Sequence, residues 1–500
     1  MLIRTPLKIF VTIVLVIFII LGIFISKAGV RGTDQYWYVA DTESLMYGNG
    51  VQTNNILPYN IVNDTTVNSK GFIHNVPSVY LAVIPGLFFG AFYGWLIMNT
   101  ILNLVTAFLL FLTLRKFLDS NLSSLIALLY LVMPLTFWLS YQPLTEAFHA
   151  FLLMSVLYIY YRTDSIIRYL YISILVVVLT LCRNNYMLVP LIISVVFYLE
   201  IDKRNKRLYS LLLLLFVFGL SFSFKSFFPD TWNFSFYDTI VTEKVGVLDS
   251  STIGPLVKLY LKESILFLKE QFVPNDFTVA FYIPFDFFVL SALILWFKKK
   301  DKKPMAPLVL VLTSIVFLFI TAVIFQNQAR YMLPLYPLVI VAFYVLLKNN
   351  FKNEYFYNLN TVLLIGSIIL CLGADSIITY KAVEDGNSQK EIRDYYSDEY
   401  QKIIPANESV IFSTSDSSYN YIMHGYILRP RKVFIVDENK YLLSGQYDIL
   451  IRDQNIKWLI TKRNHSQKMN YPNYTLQFIK QINDFNNSEF NIYKILRDIN

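Results

Sequence analysis

Four short stretches hold the residues whose types and spacing can do chemistry. The first, "GVRGTDQYWYVADTESLMYGNG" at 29–50, follows an apolar run and sets Asp34, Asp41 and Glu43 among tyrosines and a tryptophan. An acid held among aromatics at a membrane surface loses hydration, which raises its pKa and suits it to act as a general base. Asp34 is the candidate base. The competing reading makes it a helix cap, since "TDQYWYVA" opens like a helix start. Asp41 shares a face with Asp34 if the stretch is helical, and both Asp41 and Glu43 are expected to be solvated. The second stretch is "YQPLTEAFHAFLL" at 141–153, with Glu146 and His149 at i, i+3 spacing. A carboxylate in a first helical turn is favoured by the helix dipole; the alternative is that Glu146 orients a substrate or a cation. His149 alone reads as a packed histidine, with a weak claim as a metal ligand beside Glu146. The third and fourth are "LTLCRNNYMLVP" (179–190), with Arg183, and "FQNQARYMLPLYPLV" (325–339), with Arg330 and Tyr331. A guanidinium suits an anionic ligand, phosphate above all. Snorkelling to lipid phosphate is the other reading for both arginines. Lys70 and His74, in "NSKGFIHNVPS", would add to such a positive rim.

The elements that must position these residues are membrane helices. The chain has 500 residues, of which 55% are apolar and only 16% charged, and long uncharged runs recur through residue 380. Several runs are long enough to cross a hydrocarbon core of about 30 Å. The first, residues 9–25, follows Arg4 and Lys8, is longer than a signal-peptide core and reads as a retained span. The net charge of +8 sits mostly in short loops between spans, where it sets orientation, and does not point to nucleic acid. Cys182 and Cys371 lie inside apolar runs, so no disulfide framework is expected.

Placing every basic loop in the cytoplasm gives about eleven spans, near 9–26, 96–114, 122–139, 144–161, 167–182, 184–199, 208–225, 279–297, 305–325, 331–347 and 360–379. The N-terminus is then inside and the C-terminus outside. The apolar stretch 76–94 is left over. It carries Pro77, Pro85, Gly86 and Gly90 and reads as re-entrant or interfacial. The expected domains are a membrane body, 1–380, and an extracytoplasmic tail, 381–500. Within the body, 27–95 and 226–278 are outer loops, and 253–272 has the spacing of a helix lying in the membrane plane. The tail turns polar, then β-rich at 409–414, 432–437, 447–451, 457–461 and 490–496. That pattern predicts a small α/β or α+β domain.

On this topology the acids and arginines singled out gather at the outer face. Such a site suits a substrate whose phosphate lies at headgroup level while its apolar tail stays in lipid. A polyprenyl-phosphate sugar is such a substrate.

The order of these motifs resembles the GT-C class of integral membrane glycosyltransferases, such as protein O-mannosyltransferases and bacterial aminoarabinose transferases. The shared pattern is an acid soon after the first span (Asp34, then Tyr38, Ala40 and Gly48), a Pro-containing segment "VPSVYLAVIPGLFFG", an acid opening the fourth span (Glu146), a basic outer turn (Arg183) and "RYMLPLYP" from Arg330 to Pro337. Where many members pair two acids at the first position, Asp34 is followed by Gln35. The resemblance implies a mainly α transmembrane bundle of GT-C type in the plasma membrane. It implies an inverting transfer from a polyprenyl-phosphate-linked sugar donor to a glycan, lipid or protein acceptor, with membrane lipids as further partners. Asp34 would act as base, and Glu146, Arg183, Arg330, Lys70, His74 and Tyr331 would bind substrate. No cofactor is implied with certainty, and a divalent cation is left open. A transporter or flippase, or a polymerase of lipid-linked saccharides, is the alternative. A transporter would place ionisable groups near mid-membrane, often in paired repeats, whereas the charges read here crowd one surface.

Overall fold

The computed structural model describes residues 5–30, 33–46, 56–58, 76–162, 167–182, 258, 262, 278–299, 329–350, 354–414, 420–428, 431, 433–437, 451, 455–462, 474–483 and 489–497. They divide into two compact units. One comprises 1–27, 73–85 and 93–382; the other comprises 28–72, 86–92 and 383–500.

The first unit is helical. Helix α1 (Thr5–Ser26) buries a narrow stripe, Val14, Phe18 and Ile25, and exposes Ile9, Ile13, Val16, Ile19, Ile20, Ile23 and Phe24. In water that exposure would be costly; against lipid it is not. Helix α2 (Thr33–Met46) belongs to the second unit and is taken up below. The stretch expected to be interfacial forms α3 (Val76–Phe89), 14 residues with Pro85 inside. It rises about 21 Å, short of the ~30 Å of a hydrocarbon core. It ends at Gly90, whose φ of +88° is costly for any residue with a Cβ. Helix α4 (Ala91–Leu114) then runs for 24 residues.

The span expected at 122–139 is broken. Helix α5 (Ser120–Val132) and helix α6 (Pro134–Ser140) meet at a 60° bend. Pro134 supplies it: Met133 is driven to extended backbone (φ −62°, ψ 133°), as a residue before proline must be, and Pro134 then opens α6 at a position that needs no N–H. Next come α7 (Glu146–Arg162), α8 (Ile167–Cys182) and α9 (Thr278–Lys299). A 3-10 helix (Ala329–Leu335) leads into α10 (Tyr336–Asn350). Helix α7 packs against α8, the 3-10 helix and α10. Helices α9 and α10 are joined by rings, Phe285 with Tyr336 at 5.2 Å and Phe288 with Phe343 at 5.3 Å.

Among the described residues, three helices are long and apolar enough to cross a membrane, or four where the bent α5–α6 pair counts as one span. The spans expected at 184–199, 208–225 and 305–325 lie outside the described residues. So does the in-plane helix expected at 253–272, apart from Lys258 and Lys262, which are helical.

Helix α11 (Glu354–Ile403) is 50 residues long, far beyond the expected span at 360–379. Its apolar part exposes Leu359, Val362, Leu363, Ile369 and Leu370 and buries Leu364, Ile368, Asp375, Ile378, Thr379 and Ala382 on one face. Its polar part belongs to the second unit.

The second unit holds a six-stranded sheet of order β1-β3-β2-β4-β6-β5. Strands β1 (Ile56–Pro58), β3 (Val433–Asp437), β2 (Val410–Thr414) and β4 (Trp458–Thr461) are parallel neighbours. Strands β6 (Glu489–Arg497) and β5 (Tyr474–Asn483) complete the sheet antiparallel. Helix α12 (Asn420–Ile427) connects β2 to β3. Strand alternation sorts the side chains onto two faces. Ile411, Phe434, Leu459, Tyr493 and Ile495 form one core with Ile451, Ile456 and Tyr474. Phe412 and Phe490 meet His424 of α12 on the other face.

Four of the five expected strands fall on β2, β3, β4 and β6. The fifth, 447–451, lies outside the described residues except Ile451, which is helical. Strands β1 and β5 were not expected.

Candidate active-site residues and relatives

In the first unit the site is built on a turn. Residues 141–145 connect α6 to α7, and Asn99 of α4 pins them: its Nδ2 donates to the Gln142 carbonyl at 2.6 Å and to the Leu144 carbonyl at 2.8 Å. One turn further along α4, Asn103 donates to Ser140 Oγ at 2.8 Å and accepts from the Tyr130 hydroxyl at 3.0 Å. Asn99, Asn103, Tyr130 and Ser140 are all fully buried. Tyr141 donates to the Phe18 carbonyl at 3.3 Å, with its ring packed on Phe18 and Phe137. Gly22 makes room for it, since a Cβ there would stand 2.0 Å from Tyr141 Cζ. The turn is therefore held from α1, α4 and α5, and it delivers Glu146 to the first position of α7.

Glu146 is buried, and Arg330 Nε lies 3.5 Å from its Oε1. Two of the residues singled out in sequence are thus brought together, an acid at a helix start and a guanidinium at the opening of the 3-10 helix. Proline rules shape that second element: Pro334 sits inside the 3-10 turn and Pro337 falls in the first turn of α10, where its missing N–H costs nothing. His149, one turn after Glu146, is fully buried. Among the described residues no three His, Cys, Asp or Glu side chains gather as a metal site, and Glu146 already faces a guanidinium. Arg183, Lys70 and His74 lie outside the described residues. Tyr331 is placed in the 3-10 helix by its backbone.

In the second unit, α2 carries Asp34 as its second residue, inside the first turn rather than at the cap. The sequence led us to expect a solvated Asp41, and the structure corrects that reading. Asp41 is 1% exposed, and neither carboxyl oxygen has a hydrogen-bond partner among the described residues. Desolvation lifts its pKa well above the usual carboxylate range. Helix α2 is enclosed on nearly every side: Gln35, Tyr36, Tyr38, Val39, Ala40, Thr42 and Ser44 are buried as well, and no local signal distinguishes Asp41 from its neighbours. Glu43 is half-buried and accepts from the Tyr426 hydroxyl at 3.4 Å, while the Tyr426 ring packs on Tyr36 at 5.0 Å.

Sequence reasoning also passed over acids inside apolar helices. Asp286 lies in α9. Asp375 lies on the buried face of α11, with both oxygens unpartnered among the described residues. Not every acid therefore lies between the apolar runs. An ionisable residue within an apolar run is itself the signal that could have found both.

Apolar-faced helices, a short helix with Pro85 inside before α4 and a C-terminal mixed sheet give this chain a fold that it shares with solved GT-C membrane glycosyltransferases. Cupriavidus metallidurans ArnT bound to undecaprenyl phosphate has a similar structure, with a TM-score of 0.55 and 12% identity over 97% of each chain; its apo state gives 0.54 and 11%. The Archaeoglobus fulgidus oligosaccharyltransferase AglB, in complex with an inhibitory peptide and a dolichol-phosphate, gives 0.50 and 12%, covering 90% of this chain and 69% of that one. Likeness at these identities speaks to fold and not to any residue's role. A sequence comparison with curated proteins finds no match. The chain belongs to the DUF2079 family, described as "Predicted membrane protein", whose model matches residues 57–468.

Proposed function

We propose that the chain moves a sugar from a polyprenyl-phosphate donor to an acceptor at the outer face of the plasma membrane, with inversion. The observation that carries this reading is the GT-C fold along nearly the whole chain, shared with a protein that binds undecaprenyl phosphate. Asp34 takes the proton of the acceptor hydroxyl, and the freed oxygen attacks the anomeric carbon. The bond to the lipid phosphate breaks on the opposite side. Arg183 and Arg330 hold the charge developing on the departing phosphate, the electrostatic contribution that usually dominates such barriers. Glu146 fixes the guanidinium of Arg330 in place, and the charge of that guanidinium is what the phosphate meets. Lys70, His74 and Tyr331 line the donor headgroup. The reading takes the chain to have about eleven spans, with the N-terminus inside and residues 381–500 outside.

Mass spectrometry of lipid-linked sugars and surface glycans, with and without the protein, tests the reaction. One glycan should lose a sugar while the matching polyprenyl-phosphate sugar accumulates; no change in either pool rejects it.

One observation favours transport instead: Asp375, buried in an apolar helix and without a hydrogen-bond partner among the described residues, is the kind of residue that marks ion or proton pathways. Under that reading lipid-linked sugar would cross vesicles unchanged, with no free polyprenyl phosphate formed.

A further inference from the structure

Arg330 faces Glu146, and Arg431 is spent on the carbonyls of Ile404 and Leu428. Arg393, in the polar part of α11, is different. The helix around it is rich in acids, Glu384, Asp385, Glu391, Asp394, Asp398 and Glu399, yet positions 389, 390, 396 and 397, one turn away on either side, are Gln, Lys, Tyr and Ser. The pairing that helical spacing would allow is therefore missing, and among the described residues no carboxylate is ion-paired with Arg393.

Arg393 lies on the inward stripe of the helix, with Ala382, Gly386, Tyr396 and Tyr400, and is itself half-buried. Gly386 presses on Ala28 so closely that a Cβ there would stand 2.5 Å from the Ala28 Cα. Two turns on, the Arg393 side chain reaches Gly29, where a Cβ would stand 3.8 Å from both Nη1 and Nη2. Its charge also acts on the Tyr36 phenol, whose hydroxyl donates to the Val30 carbonyl at 3.4 Å. Gly29 has a φ of +68°, a conformation that glycine adopts freely. Gly29 lies three residues past the end of α1, so the guanidinium stands beside the turn by which the chain leaves the membrane. A fork of donors matched to phosphate geometry, ion-paired with no carboxylate among the described residues and held next to that turn, suits an anion.

We propose that Arg393, backed by Tyr36 and the Gly29 turn, binds the phosphate of a membrane-embedded lipid ester. The lipid carrier of the proposed reaction and an anionic phospholipid of the bilayer offer the same group. The assignment to the carrier rests on the proposed function; the phosphate site itself does not.

The test uses full-length protein in nanodiscs and three probes: undecaprenyl phosphate, phosphate-free undecaprenol and phosphatidylglycerol. Binding is read by native mass spectrometry beside the melting temperature. Arg393→Gln should weaken undecaprenyl phosphate about tenfold or more, and leave undecaprenol unchanged. Arg393→Lys, which keeps the charge and loses the fork, should fall between, and it decides the question if the glutamine variant does not fold. Loss confined to phosphatidylglycerol supports the site with a bilayer lipid as its occupant. Unchanged affinity for both phosphate lipids in a folded variant overturns it. Wild-type protein that binds phosphatidylglycerol through Arg393 but no undecaprenyl phosphate would sink the transferase reading and leave this one standing.

Discussion

Arg330 Nε stands 3.5 Å from Glu146 Oε1, with the carboxylate side chain 2% exposed and the arginine 14%. Breaking such an enclosed pair from one side leaves a charge without its partner, which costs on the order of 3 kcal/mol, whereas removing both charges is far milder. Glu146→Gln and Arg330→Gln should each lower the melting temperature of the purified protein, and the double variant should recover much of the loss. Additive losses would mean that the two side chains do not interact.

Asn99 is expected to act through the turn it holds. Asn99→Asp keeps the shape and removes the two donations to Gln142 and Leu144, so Glu146 and the Arg330 that it fixes lose their support. Small displacements in an active site cost up to about 10²-fold in rate. Steady-state kinetics should show the loss in kcat more than in the KM for acceptor. An unchanged kcat would remove Asn99 from the positioning of the site.

Asp41 makes a prediction about pH. Its raised pKa means that the folded chain keeps a proton which the unfolded chain releases above about pH 4. Stability therefore falls by about 1.4 kcal/mol per pH unit from there until the folded carboxyl itself ionises. Asp41→Asn, which mimics the protonated form, should raise the melting temperature at pH 7 and remove that fall. A variant much less stable than the wild type at pH 7 would show that the charged form is the one the fold requires.

His424 has the opposite slope. Its Nδ1 meets the Tyr400 hydroxyl at 2.9 Å, and its ring is boxed by Tyr396, Phe412 and Phe490. Burial, and then the charge of Lys462, push its pKa down to about 3. The unfolded chain takes up this proton near pH 6.5 and the folded chain does not. The contribution is present above pH 6.5 and is lost as pH falls toward 3, again by about 1.4 kcal/mol per unit. Thermal unfolding of His424→Phe across pH 4–7 should lack this component, leaving stability that falls with rising pH. A profile identical to the wild type would contradict the neutral buried ring.

What could be read from sequence follows from how local each cause is. Helices α1 and α4 announce themselves as apolar runs, and β2, β3, β4 and β6 as short β-branched runs. Strand β5, "YTLQFIKQIN", mixes Gln and Lys into its pattern because it is an edge strand with β6 as its one neighbour in the sheet. Strand β1 has three residues and exists through pairing with Val433–Ile435 far along the chain. The break at Pro134 was legible and was passed over, as were the asparagines of α4 in an otherwise apolar run. The hydration of Asp41 was not legible, because burial of a helix on all sides is decided by packing partners distant in sequence. The same holds for Glu146 and Arg330: each was singled out by type and place, and their meeting is a property of the fold.

The central claim is that this chain breaks the bond between a sugar and a polyprenyl phosphate with Asp34 as base. The direct measurement is release of free polyprenyl phosphate by purified protein in vesicles supplied with polyprenyl-phosphate sugars and acceptor extract. Wild-type protein should release it from one donor only in the presence of acceptor, and Asp34→Asn, inserted and folded to the same extent, should release none. Equal release by the Asp34→Asn variant would contradict the account.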